Sequence, residues 1–268
     1  MKREQVPAYT DDFTEEELMV IEAARYIKND CLVIVGTGLP MIASQFAQRT
    51  HAPMASFIVE SGPVDPQLLP VPIFVTDRKI ANRAVRLGST REVMSCMLQR
   101  GLVDLGFIGG AQIDIFGNIN SSYIGDWRGP RVRLPGSGGA NDIATNCQRI
   151  LIITRHEKRR FPEKVDFITS PGYLDGLDGR RKAGLKVTKP DITLVTELAV
   201  MEIDKNVGKF RLAKLMPQAT IEEVFHNTGF RPLIDGDIDE VKKPTLEQIR
   251  ILRTEIDPEG IYLKKRTG

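Results

Sequence analysis

The chain has 268 residues, 41% of them hydrophobic and 27% charged, which suits a folded protein with a sizeable core and excludes a disordered or fibrous class. Lys and Arg number 37 against 35 Asp and Glu, a formal net charge of +2, so the balance gives no basis for binding nucleic acid in general. No apolar run approaches membrane-spanning length, the polar stretch Met1 to Thr14 lacks the apolar core of a signal peptide, and Cys31, Cys96 and Cys147 show neither metal-ligand spacing nor a paired framework, so a reducing, cytoplasmic setting away from membranes is expected.

Thr14 before Glu15-Glu16-Glu17 predicts a helix N-cap, with Glu17 as its capping-box partner. Leu18, Ile21, Ala24 and Ile27 recur at helical spacing, and the helix is expected to end near Lys28-Asn29-Asp30. Cys31 to Val35 then predicts a strand stopped by Gly36-Thr37-Gly38-Leu39-Pro40, followed by a helix from Met41 to Arg49. Strand and turn recur in Phe57-Ile58-Val59 before Glu60-Ser61-Gly62, in Leu105 to Ile108 before Gly109-Gly110-Ala111, and in Ile150 to Ile153 before a polar break. Ala84 to Arg100 predicts a covering helix with Val93, Met97 and Leu98 facing inward. Runs that are apolar throughout, rather than alternating, belong to strands covered on both faces. The class is therefore α/β, an open, mostly parallel sheet with helices on both faces.

Beyond about Phe161 the glycine, proline and charge content rises through Ser170-Pro171-Gly172-Tyr173-Leu174-Asp175-Gly176. Smaller, alternating strands are expected toward the C-terminus, among them Ile192 to Val195 and Lys209 to Leu212, and a closing helix from Thr245 to Ile256 opened by Thr245 and Glu247. Without a repeat or a clear linker, residues 1–268 read as one continuous domain.

Glu60 is the residue that packing explains least: a carboxylate at the tip of an apolar strand, with a glycine turn behind it. A strand end facing water would account for it, and so would chemistry, since functional groups gather beyond the carboxyl ends of parallel strands. Gly136-Ser137-Gly138-Gly139-Ala140-Asn141-Asp142 is either a surface loop or a backbone cradle whose amides could hold an anion or a developing oxyanion. Turn chemistry alone explains much of Gly109 to Asp114 and Gly117-Asn118-Ile119-Asn120. Gly36-Thr37-Gly38 lacks the third glycine and the acidic residue of a dinucleotide fingerprint. The run His156-Glu157-Lys158-Arg159-Arg160 is a solvated turn or an anion site, and no role follows for Arg159 and Arg160. Cys147 reads as a small packed residue, and His51, His156 and His226 as structural.

Taken in order, Glu60-Ser61-Gly62, Gly109 to Asp114, Gly117 to Asn120 and Gly138-Gly139-Ala140-Asn141-Asp142 resemble the β subunit of family I CoA-transferases. The resemblance, to the glutaconate type in particular, extends through Gly36 to Pro40, His156 to Phe161 and Ser170-Pro171-Gly172, and spans roughly residues 15 to 260. It implies that Glu60 is the catalytic glutamate, attacking an acyl-CoA thioester and carrying CoA as a glutamyl thioester until a small acid, dicarboxylic in one reading, accepts it. It implies further that amides near Gly138, Gly139 and Ala140 hold the oxyanion, that coenzyme A is a substrate and no cofactor is bound permanently, and that an α subunit completes an α/β hetero-oligomer. The proline-rich segment Pro63 to Arg78 departs from the family pattern. Relatives that hydrolyse or decarboxylate CoA thioesters on this scaffold lack the glutamate, so retaining Glu60 implies transfer.

Overall fold

The computed structural model describes residues 8–69, 71–74 and 77–263. Of the polar N-terminal stretch and the proline-rich segment, residues 1–7, Pro70, Val75 and Thr76 lie outside the described residues.

The strands in chain order are β1 (Leu32–Val35), β2 (Ser56–Val59), β3 (Pro63–Val64), β4 (Arg86–Leu87), β5 (Leu105–Ile108), β6 (Gln112–Ile113), β7 (Ile119–Asn120), β8 (Tyr123–Ile124), β9 (Val132–Arg133), β10 (Arg149–Ile153), β11 (Asp191–Val195), β12 (Ala199–Asp204), β13 (Lys209–Leu215) and β14 (Asp239–Glu240). Ten of them form one sheet in the order β14-β13-β12-β11-β10-β5-β1-β2-β3-β4. Its centre, β2-β1-β5-β10-β11, is parallel throughout. The helices are α1 (Glu15–Ala24), α2 (Leu39–Arg49), α3 (Ala140–Asn146), α4 (Gly179–Lys182), α5 (Ile221–His226) and α6 (Leu246–Ile251).

The apolar runs work as expected. Along β1, Val33 and Val35 join a core with α1, α2 and α6, while Ile34 points into a second core with α3 and α5. Leu151 and Ile153 of β10 divide from Ile150 and Ile152 in the same way. Each fully buried aliphatic side chain contributes roughly 1.5–3 kcal/mol, and two such faces on every central strand explain why the runs lack alternation. Among the described residues no helix is long and apolar enough to cross a membrane.

Several boundaries differ from expectation. Thr14 and Glu17 do form the capping box, but α1 stops at Ala24, where the N–H groups of Tyr26 and Ile27 bond three residues back and tighten the last turn. Ala84 to Ser89 is not helical: β4 occupies Arg86–Leu87, and a helix wound wider than α runs only over Glu92–Leu98, with Gln99 N–H reaching Met94 O. The later strands are not smaller. At 6 and 7 residues β12 and β13 exceed the 4-residue β1, because an antiparallel hairpin can pair up to its own turn. The closing helix opens on Thr245 with Glu247 in its first turn, as expected, and Gln248 completes the capping box.

Candidate active site

Because the central strands are parallel, Gly36-Thr37-Gly38, Glu60-Ser61-Gly62 and Gly109-Gly110-Ala111 all emerge at the carboxyl edge of the sheet. That edge is where open α/β sheets bind ligands. Glu60 follows the last residue of β2 and is half-buried. The turn behind it closes through Gly62 N–H to Val59 O at 2.9 Å. Gly62 has φ +125, and a Cβ there would fall 2.2 Å from Gly88 O, so only glycine permits this clasp. Gly88 N–H returns a bond to Gly62 O at 3.1 Å. Glu92 fixes the facing turn, accepting from Ser89 N–H at 2.8 Å and pairing with Arg86, and these two partners, Ser89 first, hold its carboxyl below the usual range.

The glycine loop lies directly over the nucleophile candidate. A Cβ built on Gly139 would stand 3.0 Å from both Cδ and Oε2 of Glu60 and 2.7 Å from Cε of Met94. Met94 sits on the wide helix Glu92–Leu98, so β2, that helix and the start of α3 converge here. The Glu60 carboxylate has no hydrogen-bond or ion-pair partner among the described residues. At the Gly62–Gly88 clasp a cleft of about 330 Å³ is bordered by Gly62, Val64, Arg86, Gly88, Cys96 and Met97.

Within the loop, Ala140 N–H donates to Ser137 O at 2.9 Å and Asn141 N–H to Ser137 Oγ at 3.1 Å. The Ala140 amide, one of three expected to face an oxyanion, is therefore already committed. Those of Gly138 and Gly139 have no acceptor among the described residues. Gly138 has φ +48 and Gly139 φ −80 with ψ −3, and successive residues of opposite hand make the concave nest that binds anions. An unpartnered carboxylate against Gly139, on a loop with two uncommitted amides, has the parts to attack a carbonyl carbon and to hold the oxygen that becomes charged.

How α3 reaches this position is set on β5. A Cβ on Gly106 would lie 2.2 Å from Ile143 Cγ2 and 3.0 Å from Cys147 Sγ, so the bare glycine lets α3 settle onto the sheet. Cys147 is fully buried beneath α3, and burial first, then the charge of Asp104, pushes its thiol up to about 12. It is a packed residue and no nucleophile.

The other motifs meet behind the loop. Asp114, buried, accepts from the N–H groups of Phe116 and Asn118 and from Asn118 Nδ2 at 3.0–3.1 Å, and burial pushes its carboxyl up. Asn118 Oδ1 in turn accepts from Gly172 and Leu174 N–H, and Gly172 packs so tightly that a Cβ would fall 2.2 Å from Gly117 C. Gly109 to Asp114, Gly117 to Asn120 and Ser170 to Gly172 are thus one interlocked body. Arg159 and Arg160 both reach Glu157, at 2.6 and 3.4 Å, and Arg160 Nη1 stands 3.5 Å from Gly110 O, a braced turn. His156 lies buried between Thr196 and Thr228, and burial lowers its pKa to about 4.

Sequence reasoning did not single out Met94, Ser121, Ser137, Thr169 or Gly106. Nothing in the sequence distinguishes Met94 from its apolar neighbours Val93, Met97 and Leu98. Gly106, a glycine inside an apolar strand, carried a usable signal, since such a residue marks close approach by a neighbouring element.

The strand-end carboxylate and the glycine loop thus meet at the carboxyl edge of an open α/β sheet, the edge at which such sheets bind ligands. A family model described as Coenzyme A transferase matches residues 17–227, and the chain belongs to that family. It is 39% identical over 263 residues to the β subunit of glutaconate CoA-transferase of Acidaminococcus fermentans, covering 97% of this chain and 98% of the relative. It is 38% identical over 241 residues to the β subunit of 3-oxoadipate CoA-transferase of Pseudomonas knackmussii, covering 90% and 92%. The crystal structure of glutaconate coenzyme A-transferase from Acidaminococcus fermentans superposes with a TM-score of 0.85 at 38% identity, over 95% of this chain and 98% of that one. The resemblance to the β subunit of family I CoA-transferases is borne out.

Proposed function

We propose that this chain supplies the nucleophile of a CoA-transferase that carries CoA on Glu60. The observation behind this is the half-buried Glu60 carboxylate, without a partner among the described residues and lying against Gly139. Its oxygen attacks the carbonyl carbon of an acyl-CoA and expels the CoA thiolate, leaving an acyl-glutamyl anhydride. The thiolate then attacks the glutamyl carbonyl of the anhydride, which releases the first acid and leaves CoA as a thioester on Glu60. The acceptor acid reverses both steps, so the kinetics are ping-pong. Gly138 and Gly139 N–H hold the oxygen of each tetrahedral intermediate, a task worth roughly 3–4 kcal/mol per donor in other enzymes. No permanently bound cofactor enters these steps.

The relatives are each one subunit of a CoA-transferase, the β subunit, which supports an α partner completing the enzyme as a hetero-oligomer. Glutaconate and 3-oxoadipate are both short dicarboxylates, which supports a dicarboxylic acid as one of the exchanged acids. Three free cysteines suit a cytoplasmic enzyme. The test is peptide mass spectrometry of the complex purified with its partner, incubated with acyl-CoA and no acceptor and then reduced with borohydride. Loss of about 14 Da from the Glu60 peptide, a carboxyl turned to an alcohol through its thioester, is expected. An unchanged peptide while free CoA accumulates would replace transfer by thioester hydrolysis.

A further inference from the structure

The glycine loop is tied at its far end by Thr169 and at its start by Ser121, which Thr169 in turn holds. Thr169 is buried, 6% exposed, and its own N–H donates to Ile119 O at 2.9 Å, which fixes it against β7. Its hydroxyl oxygen accepts from Ser121 N–H at 2.9 Å and shares a bond with Ser122 Oγ at 2.8 Å. Ser121 passes that constraint to the start of the loop: Gly136 N–H donates to Ser121 O at 2.8 Å, and Ser121 Oγ donates to Gly136 O at 2.9 Å. The backbone carbonyl of Thr169 acts on the far end, accepting from Asn141 Nδ2 at 2.8 Å. Residues 137 to 140, which include both uncommitted amides, are strung between these two attachments.

We infer that Thr169 is a positioning residue, whose hydroxyl, acting through Ser121, sets the distance between the Gly138–Gly139 amides and the carboxylate of Glu60. The inference rests on the reading of Glu60 as the nucleophile for its catalytic consequence, though not for its mechanical one. A loop containing Gly136, Gly138 and Gly139 is too free to hold a geometry alone, because glycine gives up more conformational freedom on ordering than any other residue. The outside anchor supplies the order that the glycines lack. Thr169 touches no reacting atom, so its removal displaces donors without deleting any. A displacement of about 1 Å at such a site lowers the rate on the order of 100-fold.

The test compares Thr169→Val, which keeps the shape and loses the hydroxyl, with Thr169→Ser, which keeps the hydroxyl, both in the complex with the partner subunit. Hydrogen exchange is followed on the peptide covering residues 136 to 141, together with steady-state kinetics. Thr169→Val is expected to speed exchange at Gly136, the end that its hydroxyl controls through Ser121, by on the order of 10-fold or more. It should also lower kcat and kcat/KM together by about 10- to 100-fold. Thr169→Ser should restore both. If Thr169→Val does not assemble, Ser121→Ala removes only the bond to Gly136 O and carries the same expectation at smaller size. Unchanged loop exchange in these variants overturns the assignment, whatever Glu60 does. Transfer that survives Glu60→Gln overturns the glutamate mechanism instead, while faster loop exchange would still support Thr169 as the anchor.

Discussion

The carboxylate of Glu60 rests against the bare Cα of Gly139, close enough that one added methyl would meet both its Cδ and its Oε2 at 3.0 Å. These residues stand far apart in the chain, yet the strand order β10-β5-β1-β2 brings the segment before β10 across to the end of β2.

Gly139→Ala tests that contact with little risk to the fold. With φ −80 and ψ −3 an alanine fits the backbone without strain, so stability should stay within ~1 kcal/mol of the parent. The new methyl must displace the carboxylate or Met94, and transfer should fall on the order of 10- to 100-fold. Steady-state rates beside a melting curve decide it. A variant as active as the parent would remove Gly139 from the site.

Arg180 is fully buried and donates to Ala144, Pro171, Gly172 and Val187 carbonyls at 2.7–2.9 Å. Burial lowers its pKa to about 10, so it remains charged at neutral pH. Arg180→Met would leave those carbonyls, one of them in α3, without a donor, at a cost of about 3–5 kcal/mol. Urea unfolding should show an earlier midpoint at an unchanged slope.

His156 shapes the acid limb of stability. Its folded value of about 4 lies below the ordinary 6.5, so between the two the unfolded chain takes up a proton that the folded chain refuses. The stabilisation is complete above about pH 6.5 and fades as pH falls toward 4, about 3 kcal/mol in all. His156→Gln should flatten the stability profile over that window. A profile as steep in the variant would assign the acid limb to other groups.

Alkylation separates the cysteines. Cys96 is exposed at the cleft bordered by Gly62 and Gly88, whereas Cys31 and Cys147 are buried. Iodoacetamide at pH 8 should label Cys96 alone in the native protein and all three after denaturation. Native labelling of Cys147 would contradict the packing of α3 on β5.

How much of this was legible depended on the kind of signal. The central strands announced themselves because both faces of β1, β2, β5 and β10 are apolar, and Glu60 stood out against such a run. The pairs β3, β4 and β6 to β9, each 2 residues long, have no periodicity to read, and β4 was hidden inside a segment with helical spacing. Gly138 and Gly139 were legible as a flexible loop. The commitment of Ala140, the contact with Met94 and the anchoring by Thr169 depend on distances that only the folded chain sets. Arg180 was invisible for another reason: in Gly179-Arg180-Arg181-Lys182 it is spelled like an exposed basic turn, and only tertiary structure turns one of its three cations inward.

Gly106 pairs with Ile34 of β1, which in turn lies beside β2, so it sits two strands away from Glu60. The hydrogen atom it carries in place of a side chain acts as a spacer of minimum thickness. A side chain in its place would meet Ile143 and Cys147 and push α3 off the sheet. The contact between Gly139 and Glu60 is therefore set from below, by a residue two strands away, and a larger side chain at this one strand position would shift one partner of that contact while β2 held the other.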